Sequence, residues 1–314
     1  MTISRNQELR DYLQKGLESL GFCTGFAEAG TVEKNISEFC CHWIGKGYHG
    51  RMNWMPRTLS LRLDIRKFYP QARTVVALAY PYGKPGKLAP FMAGYGWLPD
   101  YHVVIREKIR NFLHKLKENY PEIRFHVTVD TAPVLEKYWA MKAGLGWIGK
   151  NTLLITPAHG SWVFLATIIF NVSLEPDRPG HSSCTDCQEC IKACPTGAIV
   201  QPYVLDARRC LAYLTVENTR LLTAEEKLLL KGTLFGCDRC QIACPFNNTS
   251  TKKLISANEV VKENIVLLEE FMKLDEAGFK SMFHGTPVAR IGFKKFREQT
   301  ETAWNYFQQK GWLQ

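Results

Sequence analysis

Cys184-Thr-Asp-Cys187-Gln-Glu-Cys190-Ile-Lys-Ala-Cys194-Pro195 decides how this 314-residue chain is to be read. Three cysteines at two-residue gaps, then a fourth followed by proline, form the bacterial run that binds four-iron clusters. A second run, Cys237-Asp-Arg-Cys240-Gln-Ile-Ala-Cys244-Pro245, lacks one member, because Leu234 stands where a cysteine would fall. Cys210, upstream, supplies the missing thiolate. In two-cluster runs the last cysteine of each copy crosses to the other cluster. That rule assigns Cys184, Cys187, Cys190 and Cys244 to cluster one, and Cys194, Cys210, Cys237 and Cys240 to cluster two.

Two other uses of these cysteines are weighed and set aside. A secreted disulfide framework calls for a short chain and an apolar leader, whereas the chain opens with the charged, amphipathic MTISRNQELRDYLQKGLESLGF. Structural zinc uses C-x2-C pairs, but not a third cysteine at the same gap followed by Cys-Pro. Electron handling by two [4Fe-4S] clusters is the expectation.

Working outward, the residues before about 172 mix helical and strand signals. Helical periodicity covers Gln7–Leu20 and His102–Asn119, and β-rich stretches cover Thr74–Tyr80, Arg124–Asp130, Thr152–Thr156 and Val163–Phe170. Val163–Phe170 is too short to cross a bilayer and reads as a buried strand. Glu175-Pro-Asp-Arg-Pro-Gly-His181 is turn-rich and is taken as the boundary. The expected class is α+β: a layered α/β domain over 1–172, a ferredoxin-like module over 173–250, and a short helical segment over 251–314. Arg208–Asn218 and Thr223–Lys231 read as helices inside the module. Glu259–Phe271, Asp275–Phe283 and Phe293–Lys310 read as helices after it.

The formal charge of +10 falls to about +6 with two clusters at about −2 each. A basic balance suits either ordinary solubility or a polyanionic partner. With no signal core, the expected compartment is the cytoplasm, with no membrane association.

Gly144-Leu-Gly146-Trp147-Ile-Gly149-Lys150-Asn151 satisfies G-x-G-x-x-G and nearly satisfies a P-loop. Both nucleotide motifs place the loop after a strand and before a helix. Here the order is reversed, with helical signal over Val134–Ala143 before it and a strand after it. Asn151 also stands where a magnesium-binding hydroxyl is needed. Either the glycines make a tight connection, or they let a flat cofactor approach the backbone. Upstream, Asp130-Thr-Ala-Pro133 ends a strand. Asp130 is read as a helix N-cap, with Pro133 in the first turn, or as a proton-transfer acid.

Together, Asp130-Thr-Ala-Pro-Val-Leu-Glu-Lys137, Ala143-Gly-Leu-Gly-Trp-Ile-Gly-Lys-Asn151 and the eight-cysteine module resemble the epoxyqueuosine reductases, over roughly residues 5–300. The resemblance implies the last step of queuosine synthesis in the anticodon loop of tRNA. It further implies a cobalamin-binding first domain related to reductive dehalogenases, and cob(I)alamin fed by two [4Fe-4S] clusters. Asp130 matches the family's proton donor. Gly144, Gly146, Trp147, Gly149, Lys150 and Asn151, with Asp130, would lie near cobalamin, Arg57 near cobalamin or substrate, and Arg290, Lys294, Lys295 and Arg297 would meet tRNA phosphates. A tRNA substrate, an unidentified electron donor and a monomeric state are expected.

Departures from the pattern are also legible. The cobalt-ligating D-x-H-x-x-G motif is only approximated by Asp100-Tyr-His102-Val-Val-Ile105, so His102 is read as a surface or capping residue. Cys23, Cys40 and Cys41 are read as structural thiols. The competing functions are a cobalamin-dependent reductive dehalogenase and a non-enzymatic two-cluster electron carrier.

Overall fold

The computed structural model describes residues 3–83, 91–247 and 266–311. These form two compact units that are not contiguous in sequence. The first gathers described residues 3–48, 53–83 and 101–187; the second gathers 49–52, 91–100, 188–247 and 266–311. A division at 172 and 250 misses this interleaving. The helical tail shares one aromatic core with residues 91–97, so it is no separate piece.

The first unit is built on a four-stranded sheet of β1 (Cys23–Glu28), β2 (Thr74–Pro81), β3 (Phe125–Thr128) and β6 (Val163–Phe170), in the order β1-β2-β6-β3. Every pairing is antiparallel. The central strands are nearly continuous apolar runs because both faces are covered. Val76 and Leu78 of β2, with Ala166, Ile168 and Phe170 of β6, face α1 (Ile3–Ser19) and α6 (Tyr101–Asn119). Val75, Ala77, Ala79 and Ile169 face the opposite layer, with Tyr138, Trp139 and Ala140 of α7 (Glu136–Lys142). The side-chain alternation of a strand thus builds two cores from one sheet. Shorter helices α2 (Lys34–Gly45), α3 (Trp54–Arg57), α4 (Leu59–Leu63) and α5 (Ile65–Phe68) lie between β1 and β2 in sequence.

The turn-rich segment at 175–181 is not a loose linker. Asp177 accepts the Phe26 N–H and the Arg10 guanidinium, and its own N–H donates to the Phe26 carbonyl. Gly180 N–H donates to Met141 O at 2.9 Å.

In the second unit each cysteine run forms one helical turn. α8 (Glu189–Lys192) carries Cys190 and α10 (Arg239–Ile242) carries Cys240. Between them lie β7 (Ile199–Gln201), β8 (Val204–Leu205) and α9 (Ala224–Leu230), which is capped by a reciprocal Thr223–Glu226 pair. The helix expected over Arg208–Asn218 is instead a 3₁₀ turn, Ala207–Arg209, and a π-helical turn, Tyr213–Glu217. Buried Thr215 is the physical reason. Its hydroxyl donates to Leu211 O and accepts the Gly236 N–H, so the local ladder gives way to a long-range bond.

The C-terminal elements are helical residues 266–273 (α11), α12 (Glu276–Met282) and α13 (Gly292–Gln309). They pack Phe271, Phe279, Phe283, Phe296 and Phe307 onto Phe91 and Phe235. Of the helix expected over Glu259–Phe271, residues 259–265 lie outside the described residues. Among the described residues no helix is long and apolar enough to cross a membrane.

Candidate functional site

Asp130 follows β3 in the left-handed region, at φ 60°. It does not cap a helix. Val134 N–H turns back to Ala132 O, and the next helix, α7, begins only at Glu136. The N-cap expectation fails because the Thr-Ala-Pro segment does not enter the helix. A non-glycine residue at positive φ is uncommon and gathers at sites where surrounding structure enforces it.

Three neighbours hold the residue, one by its backbone and two by its carboxylate. Glu136 Oε1 accepts the Asp130 N–H at 3.0 Å. Tyr101 donates its hydroxyl to Asp130 Oδ2 at 3.0 Å, and His102 Nε2 lies 3.2 Å from the same oxygen. His102 is therefore not the surface residue expected; it is 7% exposed. The start of α6 places both rings. Tyr101 stacks flat on Phe164 at 4.2 Å, and His102 stacks on Tyr101 at 4.0 Å. Arg106, one turn on, donates to Thr131 Oγ1 at 2.7 Å. The result is a carboxylate gripped from the protein side while 54% of its side chain stays open to solvent.

The same cluster sets local electrostatics. Burial, and then the charge of Asp130, push Glu136 up to about 8, against hydrogen bonds from Asp130 N–H and Thr128. Burial likewise lowers the Arg62 guanidinium, with Glu136 and Asp130 opposing it. Tyr101, His102 and Glu136 are the residues that sequence reading missed. The only available signal was their nearness to quoted motifs.

The glycine loop has the expected order, with α7 before it and a minimal hairpin, β4 (Trp147–Ile148) with β5 (Leu154–Ile155), closing it. The strand expected over Thr152–Thr156 shrinks to two residues, since Thr152 itself sits at φ 66°. A Cβ on Gly144 would lie 2.6 Å from Arg178 O, and one on Gly146 would lie 2.0 Å from Ile155 O. The close approach these glycines permit is therefore made by the protein's own backbone, the tight-connection reading. Trp147 is buried. Asn151 is 4% exposed; its Oδ1 accepts Leu153 N–H, while its Nδ2 has no acceptor among the described residues. Lys150 is buried too, and donates to Thr185 O at 2.6 Å and Cys187 O at 2.9 Å. Arg57 ends α3 on the surface.

In the second unit Cys194, Cys210, Cys237 and Cys240 come together. Burial first, then one another's charge, raise the Cys210 and Cys240 thiols. Four thiols that feel one another this way form a donor set for a cation-bearing group. Among the described residues no three His, Cys, Asp or Glu side chains stand close enough to ligate a single ion. Ala198 N–H points at Cys194 Sγ at 3.2 Å, and the Arg239 guanidinium at Cys237 Sγ at 3.8 Å. Such N–H···S contacts favour thiolate. Cys190 and Cys244 are buried, and Cys184 and Cys187 are part-buried. Of the remaining cysteines, Cys23 and Cys40 are part-buried with raised thiols, while Cys41 is exposed.

The basic stretch divides. Arg290 and Lys294 are exposed. Lys295 is not on a solvated face: its ammonium is buried and donates to Val216 O and Asn218 O, and burial lowers it to about 8. Arg297 donates to Met272 O and Leu274 O. These two cations serve the fold, because α13 turns them inward.

Residues 183–247 match a family model described as a 4Fe-4S double cluster binding domain, and residues 62–131 match one described as epoxyqueuosine reductase QueG, DUF1730. The epoxyqueuosine reductase of Cyclobacterium marinum is 39% identical over 256 residues, 79% of this chain and 81% of that one. That of Gloeobacter violaceus is 36% identical over 300 residues, 91% and 92% of the two chains. A crystal structure of epoxyqueuosine reductase with an epoxyqueuosine-modified tRNA stem loop superimposes with a TM-score of 0.83 at 28% identity, covering 98% of this chain and 84% of that one. A Bacillus subtilis epoxyqueuosine reductase, described with its catalytic aspartate loop swung out of the active site, gives the same TM-score, identity and coverage.

Proposed function

Because the chain belongs to the epoxyqueuosine reductase family, we propose that it reduces epoxyqueuosine to queuosine in a tRNA anticodon loop, with Asp130 as the proton donor. The observation that carries this reading is Asp130, at positive φ, its carboxylate held by Tyr101 and His102 and its N–H by Glu136, yet open to solvent.

The reaction removes one oxygen as water: the epoxide takes up two electrons and two protons and leaves a carbon–carbon double bond. Both protons end on the same oxygen, so one acid beside it must act twice or be recharged. Asp130 has the reach that general acid catalysis requires, and the buried groups around it fix its orientation. The Bacillus subtilis relative, with its catalytic aspartate loop swung out of the active site, supports a mobile role for the corresponding segment here.

The donor set of the second unit fits a four-iron cluster on Cys194, Cys210, Cys237 and Cys240. By spacing, Cys184, Cys187, Cys190 and Cys244 hold the other. Each cluster supplies one electron at a time. Bound cobalamin would supply a centre that stores two electrons. On this chain its support is the acceptorless amide nitrogen of Asn151, which matches a ligand rimmed by carbonyl acceptors. Asn151, with Trp147 beside it and Arg57, would hold it. Exposed Lys294 and Arg290 would meet RNA phosphates, where cations position rather than specify.

The test is nucleoside mass spectrometry on epoxyqueuosine-bearing tRNA after anaerobic incubation with reconstituted protein, cobalamin and a strong reductant. Queuosine should form only with cobalamin present. Asp130→Asn should retain iron and corrinoid while losing turnover by at least about 100-fold. Full activity in that variant would remove Asp130 as the acid.

A further inference from the structure

Lys150 stands in the glycine loop, where the family resemblance would turn it toward a corrin, yet it points elsewhere. It is 9% exposed, and Nζ is engaged by the carbonyls of Thr185 and Cys187, two residues of the first cysteine run. The chain there has little else to hold it. Among the described residues, no backbone N–H from 181 to 187 donates to another backbone carbonyl, only Cys184 N–H reaching Ser182 Oγ at 3.4 Å, and the regular structure resumes at α8. The hairpin that carries Lys150 is, by contrast, firmly built. Gly149 N–H donates to Leu153 O and Thr152 N–H to Gly149 O, both at 2.8 Å, beside the β4–β5 ladder. The same hairpin also grips the chain upstream, where a Cβ on Gly180 would lie 1.9 Å from Gly146 O.

We propose that Lys150 is a positioning residue for cluster one: it fixes the Cys184–Cys187 ligand loop and raises the potential of the cluster that loop binds. In a trans peptide the carbonyl and the following N–H point in opposite directions. Pinning Thr185 O on Nζ therefore turns the Asp186 N–H away from Lys150, as an N–H···S contact within a ligand loop needs. A buried ammonium near a cluster also favours the more negative, reduced state, since charge and hydrogen bonding around the sulfurs set the potential. The glycine loop thus serves the electron path by holding one end of it.

The proposal rests on the cluster assignment above, and the experiment separates the two. The full chain is reconstituted anaerobically as wild type, Lys150→Met and Lys150→Arg. Iron per chain, a reductive titration followed by electron paramagnetic resonance, and absorbance of bound corrinoid are read for each. In Lys150→Met one cluster should titrate at a more negative potential, or be lost as iron falls from about eight to about four per chain. The other cluster and corrinoid binding should not change, and Lys150→Arg should move the potential back toward wild type. Wild-type content and potentials in Lys150→Met would overturn the proposal. So would lost corrinoid binding with both clusters unchanged, which would return Lys150 to the cofactor. Wild-type protein that binds no iron would overturn both the proposal and the cluster assignment.

Discussion

At Asp130 two carboxylates share one small region, and only one of them can hold its charge cheaply. Glu136 yields. Below 4.5 its carboxyl is protonated whether the chain is folded or not. Between 4.5 and about 8 the unfolded chain releases that proton while the folded one keeps it, so this group's contribution to stability falls as pH rises through that window. Above about 8 the loss is complete. Glu136→Gln should therefore gain stability relative to wild type as pH rises, by roughly 3–4 kcal/mol between pH 5 and pH 8. Melting curves at pH 5 and pH 8 check this, and equal differences at both values would refute it. A second contrast lies between adjacent lysines. Lys294→Ala should leave melting unchanged and reduce the salt slope of tRNA binding by about 1. Lys295→Met should instead cost about 2 kcal/mol, because Val216 O and Asn218 O lose their donor. Sequence could not tell the two apart, since which lysine turns inward depends on the rotation of α13 against its core.

Among the elements, legibility follows how local the deciding interaction is. β6 was readable because seven of its eight residues are apolar, broken only by Thr167, which leaves a central strand few alternatives. α9 was readable because Thr223 and Glu226 announce its first turn. Thr223→Ala should cost about 1 kcal/mol of helix stability. Hydrogen exchange should show it as faster exchange at the amides of Ala224–Glu226, with α13 unaffected. Residues 207–217 carry helical composition, but a long-range bond from Gly236 to Thr215 overrides it, and no window of local sequence contains both partners. Asp130 failed as a cap for a related reason. The residues that hold its carboxylate, Tyr101 and His102, lie nearly thirty positions earlier. The double-cluster domain was legible because the cysteine spacing is itself the signature of four-iron clusters.

For the whole molecule, the two units should answer differently to loss of iron. The first has two apolar cores of its own on one sheet. The second has the aromatic core of Phe91, Phe235 and Phe271, but its four gathered thiols stand apart from that core in composition and chemistry. Chelation under reducing conditions should raise hydrogen exchange across 188–244, while β2 and β6 keep their protection. Uniform loosening of both units would contradict this.

The interleaved order of the units also matters while the chain is being made. Phe91 and Met92 are buried, and their hydrogen-bonded partners, Leu234 and Phe235, emerge about 140 residues later, a wait of about 10–30 s at ordinary translation speeds. For that interval an apolar segment has left the ribosome with nothing to cover it. Such a segment is a natural resting place for a chaperone, and slow codons between 100 and 230 would prolong its exposure. Yield of this protein on overproduction should therefore depend on translation rate and chaperone supply as much as on its finished stability.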